Sequence, residues 1–230
     1  MSKELLNLTN LFHKLATSGP KISVVENTDP VLKELSEIKD FDERVEFAKE
    51  QDWELLGEGS ARIVFQMDER RIIKVALGDA GLAQNITEAD PEKQKFSITN
   101  PVFCFDPKGA WIISSMNETI TIQEFKKLTN MSFESFGNAL KYKFNHSDDR
   151  NPPKGYEDIE NNPVFKETAQ LILNEDMLEG DVAKISSWGR IDNKVVLRDE
   201  GLDLRGWIEN YKDSGEAKSS SRSKSDTSSS

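Results

Sequence analysis

The chain has 230 residues with 41 Asp or Glu against 30 Lys or Arg, so its formal net charge is −11. This acidic balance excludes a general nucleic-acid-binding surface, because affinity for phosphate backbones depends on clustered Lys and Arg. The single cysteine, Cys104, excludes an intramolecular disulfide, and two histidines, His13 and His146, are too few for a Cys/His zinc site, so we expect a reducing compartment and no structural metal.

The sequence shows no segment that approaches 18 continuous apolar residues, and no basic stretch followed by an apolar one at its start. We therefore expect neither a membrane span nor a secretory signal, and a cytoplasmic location. The 12 Phe and 4 Trp supply enough bulky apolar surface for the core of a folded domain.

Residues 1–50 have the spacing of short amphipathic helices. Apolar residues recur three and four positions apart on one face of a first helix: Leu5, Leu8, Phe12 and Leu15. Gly19-Pro20 ends that helix, Pro30 begins a second, and Phe41 lies at the start of a third. The pattern predicts a helical N-terminal extension that packs on the segment after it.

From Trp53 the pattern changes to that of β-strands. Apolar runs separated by glycine and Asp turns predict five strands, at 53–56, 61–67, 71–77, 102–105 and 111–115. Residues 83–90 predict one helix between the third and fourth strands, and a hinge follows near 116–118. Residues 51–118 are therefore predicted to form a small antiparallel sheet with one inserted helix.

Residues 119–213 are predicted to be mostly helical, with helical spacing over 119–140 and 163–178. Residues 145–163 contain three prolines and an excess of acids, which favours an exposed loop. Residues 214–230 include nine serines and no aromatic or branched aliphatic residue, so we predict a disordered tail.

A glycine turn joins the first two predicted strands. Gly57, Gly59 and Val64 fit a loop of the form G-x-G-x-x-G-x-V, with Arg62 at the third glycine position. Such glycines let backbone N–H groups approach phosphates, and a valine after the loop can lie on a purine ring. The alternative interpretation is a hairpin with a flexible turn.

A lysine stands inside the apolar third strand. Burying Lys74 there costs free energy unless its ammonium is paired or binds a polar ligand. Glu88 on the inserted helix is a candidate partner. Such a pair places an ammonium at nucleotide phosphates in kinase-type sites. The alternative is a lysine that extends to solvent beside an unrelated surface glutamate.

This order of parts resembles the N-terminal lobe of protein-kinase-like phosphotransferases. Further along, Asp181 resembles the catalytic-loop aspartate, and Asp199 with Gly201 resembles the D-F-G segment, 18 positions later (199 − 181). Gly180-Asp181 also looks like the G-D pair of small-molecule kinases. The small size and the S-S-W-G segment are similar to kinase-like proteins of tailed bacteriophages.

The resemblance implies a two-lobed α+β fold that binds ATP and Mg²⁺. Lys74 would hold the α- and β-phosphates, Asp181 would orient or deprotonate the acceptor hydroxyl, and Asp199 would bind the metal. Ser186 falls where the family has a metal-binding asparagine, and its hydroxyl is the poorer ligand.

The sequence also departs from the family. Arg62 replaces a glycine, Glu200 replaces the middle aromatic residue of D-F-G, and the 29 residues after Gly201 are too few for the later helices of protein kinases. Two functions therefore remain open. One is a minimal ATP- and Mg²⁺-dependent phosphotransferase with an unknown acceptor, and the other is a catalytically inactive kinase-like scaffold, such as a virion-associated interaction protein with a protein partner.

Overall fold

The computed structural model of the chain describes residues 29–144, 151–174 and 179–198. Within these residues the fold is α+β, with eight α-helices, a five-stranded antiparallel sheet and a three-stranded sheet. Several predicted features lie outside the described residues: the helix at Leu5 to Leu15, His13, His146, Asp199, Glu200, Gly201 and the serine-rich tail.

The larger sheet confirms the predicted five strands in their predicted places. Its order is β1-β2-β3-β5-β4, and every neighbouring pair is antiparallel. The strands are β1 Glu54–Glu58, β2 Arg62–Gln66, β3 Arg71–Ala76, β4 Val102–Phe105 and β5 Trp111–Ser115.

Two N-terminal helices, α1 (Pro30–Glu37) and α2 (Phe41–Lys49), cover one face of this sheet. Each begins at an aspartate whose side chain accepts a hydrogen bond from a backbone N–H of the first turn. The indole of Trp111 donates to the carbonyl of Leu32 at 3.0 Å and to the Ser36 hydroxyl at 2.9 Å, which ties β5 to α1.

The inserted helix, α3 (Asp79–Glu88), begins four residues earlier than the sequence predicts. Gly78 is the N-cap of the helix, and Gly81 lies inside it. A side chain at Gly81 would overlap the backbone of Ala61 and Ala76, so glycine lets the helix approach the sheet closely. The close approach brings Glu88, at the far end of α3, to the sheet face that α1 and α2 leave open.

The second part of the chain is built around an aromatic core. Phe125, Phe136, Phe165 and Trp188 are fully buried, and their rings contact one another at centroid distances of 5.4 to 6.1 Å. This core is enclosed by five helices and the smaller sheet: β6 Glu118–Thr119, α4 Ile122–Thr129, α5 Phe133–Phe144, α6 Tyr156–Asn161, α7 Pro163–Asn174, α8 Glu179–Val182, β7 Trp188–Ile191 and β8 Lys194–Leu197.

Two sequence predictions for this part need correction. The segment predicted to be an exposed loop contains α6, because the ring of Tyr156 packs on Tyr142 and Phe165 at 4.8 and 6.3 Å. Burial, with the neighbouring Glu160 carboxylate, raises the pKa of Tyr156 to about 12. The mostly helical prediction also missed the short strands β6 and β7; β7 pairs with β6 on one side and with β8 on the other to form the second sheet.

We expect Leu35→Ala to lower the free energy of unfolding by about 2–5 kcal/mol, because Leu35 is fully buried between α1 and the sheet. The same substitution at Leu173, which is 63% exposed, serves as the matched control and is expected to change it by less than about 0.5 kcal/mol. Urea denaturation of both variants measures the difference. If Leu35→Ala changes the free energy of unfolding as little as Leu173→Ala does, α1 does not contribute to the core.

Candidate functional site

A cavity of about 460 Å³ lies beneath the glycine turn between β1 and β2. Its walls come from that turn, from β2, β3 and α3, and from the segments that follow β5 and β8. Five of the predicted site residues line it: Gly57, Gly59, Val64, Lys74 and Ser186. The sequence therefore identified five of the 14 described lining residues as site residues.

The glycine turn presents backbone rather than side chains to the cavity. The N–H of Gly59 donates to the carbonyl of Arg62 at 2.8 Å, which closes the turn. No other atom lies within 4 Å of where a Cβ on Gly57 would stand, so the space beside this residue is open. The pairing of β1 with β2 also shifts between Leu55 and Gly57, which marks an irregularity at the start of the turn.

Lys74 faces the cavity because alternate residues of a strand point to opposite faces of the sheet. Its neighbours Ile73 and Val75 pack beneath α1 and α2, whereas Lys74 lies on the other face. The ammonium is buried, with 4% of the residue exposed, and it donates to both Glu88 carboxylate oxygens at 2.7 and 2.8 Å. It also donates to the carbonyl of Arg198 at 3.1 Å. The pairing of Lys74 with Glu88 is as predicted.

Arg62 is the second cation on Glu88, and the sequence analysis missed this contact. Its Nη1 donates to Glu88 Oε2 at 2.7 Å and to Asn85 Oδ1 at 3.2 Å, and the residue is 6% exposed. The register of β2 and β3 could have indicated this contact, because it places the side chains of Arg62 and Lys74 on the same face of adjacent strands. The residue that departs from the glycine motif thus belongs to a buried Arg62–Glu88–Lys74 triad.

The cavity is cationic although the whole chain is acidic. Arg62, Lys74 and Arg198 line it, and no acidic residue is among the described lining residues. Glu88, the carboxylate that Arg62 and Lys74 share, is fully buried behind Lys74. The Nε of Arg198 donates to Asn117 Oδ1 at 2.9 Å, which holds this side chain beside the hinge segment. The cations of the described lining favour an anionic ligand, such as a phosphate group.

The structure brings Ser186 to the cavity but does not place Asp181 among the residues that line it. Asp181 lies on α8, and its Oδ1 accepts a hydrogen bond from Lys184 Nζ at 2.8 Å. Its side chain is 37% exposed. The carboxylate predicted to bind metal, Asp199, immediately follows Arg198 in the chain but lies outside the described residues.

The described residues do not fit a Mg²⁺ site. They contain no group of three His, Cys, Asp or Glu side chains close enough to hold a metal ion. Mg²⁺ prefers carboxylate and other oxygen ligands, whereas the described lining presents three cations, the hydroxyls of Ser60 and Ser186, and the amides of Gln84 and Asn117, of which the Asn117 oxygen already accepts from Arg198. A metal held by a group of carboxylates would need ligands from outside the described residues.

The sequence matches no protein-family model, and no curated protein is significantly similar to it. Across 29–144, 151–174 and 179–198, no helix combines the length and the apolar character needed to cross a membrane.

We expect Glu88→Gln to lower the free energy of unfolding by about 3–5 kcal/mol, because it removes the buried negative charge that Arg62 and Lys74 share. Lys74→Met is expected to lower the free energy of unfolding by less than Glu88→Gln does, because Arg62 still neutralises Glu88. Chemical denaturation of each variant tests the ranking. Glu46→Gln, at an exposed pair with Lys49, is the matched control and should leave the midpoint unchanged. A Lys74→Met loss as large as that of Glu88→Gln would contradict the shared triad.

Proposed function

We propose that the chain is a minimal protein-kinase-like phosphotransferase that binds ATP in the cavity beneath its glycine turn. The observation that carries the proposal is the buried Lys74–Glu88 ion pair, at 2.7 Å, in a cavity whose roof is the backbone of Gly57 and Gly59. A lysine on one strand, a glutamate on the inserted helix and a glycine turn above them form the constellation that protein kinases use to hold nucleotide phosphates.

The remaining walls of the cavity suit a nucleotide. Val64 on β2 and Ile72 on β3 lie on the same face of the sheet, with Val64 opposite Lys74 and Ile72 opposite Gln66, and Met116 follows β5 at the hinge. These apolar side chains offer a surface for the purine ring, while the cations suit the phosphates. In this proposal the open space beside Gly57 lets the phosphates reach the N–H groups of the turn.

The transfer step requires an acceptor hydroxyl and a group that takes its proton. Asp181 remains the proposed base. Its partial exposure leaves it accessible to an acceptor that approaches from solvent, and Lys184 Nζ bonds to its Oδ1. The acceptor oxygen would attack the γ-phosphorus as its proton moves to the Asp181 carboxylate, and ADP would leave. Mg²⁺, which the resemblance implies, would depend on Asp199 among residues beyond those described.

A second candidate function is a catalytically inactive kinase-like scaffold that binds a protein partner, for example in a virion. Two observations favour it. Arg62 occupies Glu88 together with Lys74, and the cavity lining includes Ser186 but not Asp181. A scaffold would keep the fold and the nucleotide-sized cavity without transferring phosphate.

We expect incubation with ATP and Mg²⁺ to add whole phosphates to the protein, detected by intact-mass spectrometry, or to an added acceptor such as casein. Lys74→Met should abolish the gain while the fold survives, because Arg62 still pairs with Glu88. Lys33→Met is the matched control, since Lys33 is 67% exposed and far from the cavity in sequence, and it should behave as wild type.

Absence of phosphate transfer together with ATP-dependent thermal stabilisation would favour the scaffold over the enzyme. Equal phosphate transfer by wild type and Lys74→Met would contradict the proposed site. If neither phosphate transfer nor thermal stabilisation is observed, the proposal that the cavity binds a nucleotide is wrong.

A further inference from the structure

We infer that Glu167, on α7 of the second part of the chain, is a positioning residue for the buried Lys74–Glu88 pair. It acts through residues 96–100, which lie between α3 and β4 and are called here the junction segment. The inference rests on the proposed function, in which the pair holds nucleotide phosphates, and adds a distant side chain that sets where the pair stands.

The carboxylate of Glu167 binds the junction segment from the side of α7. Its Oε2 accepts from the backbone N–H of Ser97 at 2.6 Å and of Ile98 at 3.1 Å, and the Ser97 hydroxyl lies 3.0 Å from both carboxylate oxygens. Such bonds to a charged acceptor are stronger than those between neutral groups. The side chain of Ile98 is 2% exposed and belongs to the aromatic core of the second part. The second part therefore holds the junction segment by both backbone and side chain.

One route from the junction segment leads to Lys74 through β8. The N–H of Leu197 donates to the carbonyl of Ile98 at 2.6 Å, and Thr99 pairs with Leu197 in a parallel bridge. The next residue, Arg198, presents the carbonyl that accepts from the Lys74 ammonium at 3.1 Å. A shift of the junction segment would carry the end of β8 with it and move this acceptor relative to the ammonium.

A second route leads to Glu88 through Gln94. The side-chain amide of Gln94 donates to the carbonyls of Glu88 and Asn100, each at 3.2 Å, and its oxygen accepts from the N–H of Val102 at 3.1 Å. The end of α3 is thus tied to the far end of the junction segment. Both members of the ion pair are therefore connected to the same five residues, which Glu167 holds.

Two substitutions at Glu167 separate its hydrogen bonds from its size. Glu167→Gln keeps an oxygen that accepts from the two backbone N–H groups, and its NH₂ can donate to the hydroxyl of Ser97. Glu167→Met has a similar length but offers only a weakly accepting sulfur. We therefore expect Glu167→Met to release the junction segment and Glu167→Gln to retain it.

The first measurement follows Lys74 itself. The full-length protein is treated briefly with acetic anhydride, and the label on each lysine is quantified by peptide mass spectrometry. A buried, paired ammonium reacts slowly, because only an accessible neutral amine attacks the anhydride. We expect Glu167→Met to raise the labelling rate of Lys74 about two- to thirtyfold, the range of effects along a connected network, and Glu167→Gln to keep it within about twofold of wild type. Lys33, which is 67% exposed, is the internal standard.

Two control variants separate this effect from a general loss of stability or of a carboxylate. Asn162→Ala weakens the start of α7, because the Asn162 amide donates to the carbonyl of Thr129 at 2.7 Å and its oxygen accepts from the N–H of Val164 at 3.0 Å. Neither partner belongs to the junction segment, so Lys74 should be labelled as in wild type. Glu46→Met, at the exposed pair with Lys49, should also label Lys74 as wild type does.

Three results of the labelling would overturn the inference. They are a wild-type rate at Lys74 in Glu167→Met, an equal rise in Asn162→Ala, and a rise in Glu167→Gln as large as that in Glu167→Met. If Glu167→Met fails to fold, Ser97→Ala removes only the hydroxyl from the same contact, at an exposed position. It is expected to raise the rate at Lys74 about twofold or more, and an unchanged rate would overturn the inference.

The second measurement connects the position of the pair to its ligand. Isothermal titration with ADP and Mg²⁺ is used, because ADP has the α- and β-phosphates but no transferable γ-phosphate. We expect Glu167→Met to weaken binding about two- to thirtyfold and Glu167→Gln to restore it. Wild-type affinity in Glu167→Met would overturn the inference and leave the proposed nucleotide site standing. If wild type itself does not bind ADP, the proposed site is wrong, and the labelling of Lys74 still decides whether Glu167 positions the pair.

Discussion

The carboxylate of Glu88 is the point on which the arrangement of the cavity depends. It is completely buried, and its two oxygens accept hydrogen bonds from Lys74 on β3 and from Arg62 on β2. A buried charge is tolerated only when it is paired, so each of these three side chains depends on the others. Because Glu88 ends α3, this single group fixes the helix against the sheet and sets the depth of the cavity beneath the glycine turn.

Apolar packing on the opposite face of the sheet supports the strands that carry the buried triad. Helices α1 and α2 cover the opposite face of the sheet with Leu35 and Ala48, which are both fully buried. Asn85 strengthens the connection from α3, since its amide donates to the carbonyl of Gly109 at 2.8 Å and its oxygen accepts from Arg62. The N-terminal helices therefore act on the cavity indirectly, by holding β2 and β3 in the register that aligns Arg62 with Lys74.

Much of the fold and part of the site follow from the sequence alone. The five strands were predictable because apolar runs and glycine or Asp turns alternate, and the pairing of Lys74 with Glu88 because a lone cation inside such a run needs a partner. Position along the chain could not predict which of the candidate residues of the second part lies at the cavity. Asp181 and Ser186 are five residues apart, yet the short helix α8 ends between them and only Ser186 lines the cavity. The role of Arg62 was missed because motif comparison treats it as a deviation, whereas its side chain is placed by strand register.

The bond from Lys74 to the carbonyl of Arg198 crosses 124 positions of the chain and joins the two sheets at the cavity. Any ligand that draws the ammonium away must weaken this bond, and any event that shifts the end of β8 must change how strongly the ammonium is held. For a ligand that draws on the ammonium in this way, affinity and the position of β8 would be thermodynamically linked, with equal coupling in both directions. A protein bound near the end of β8 would then tune the occupancy of the cavity without touching it.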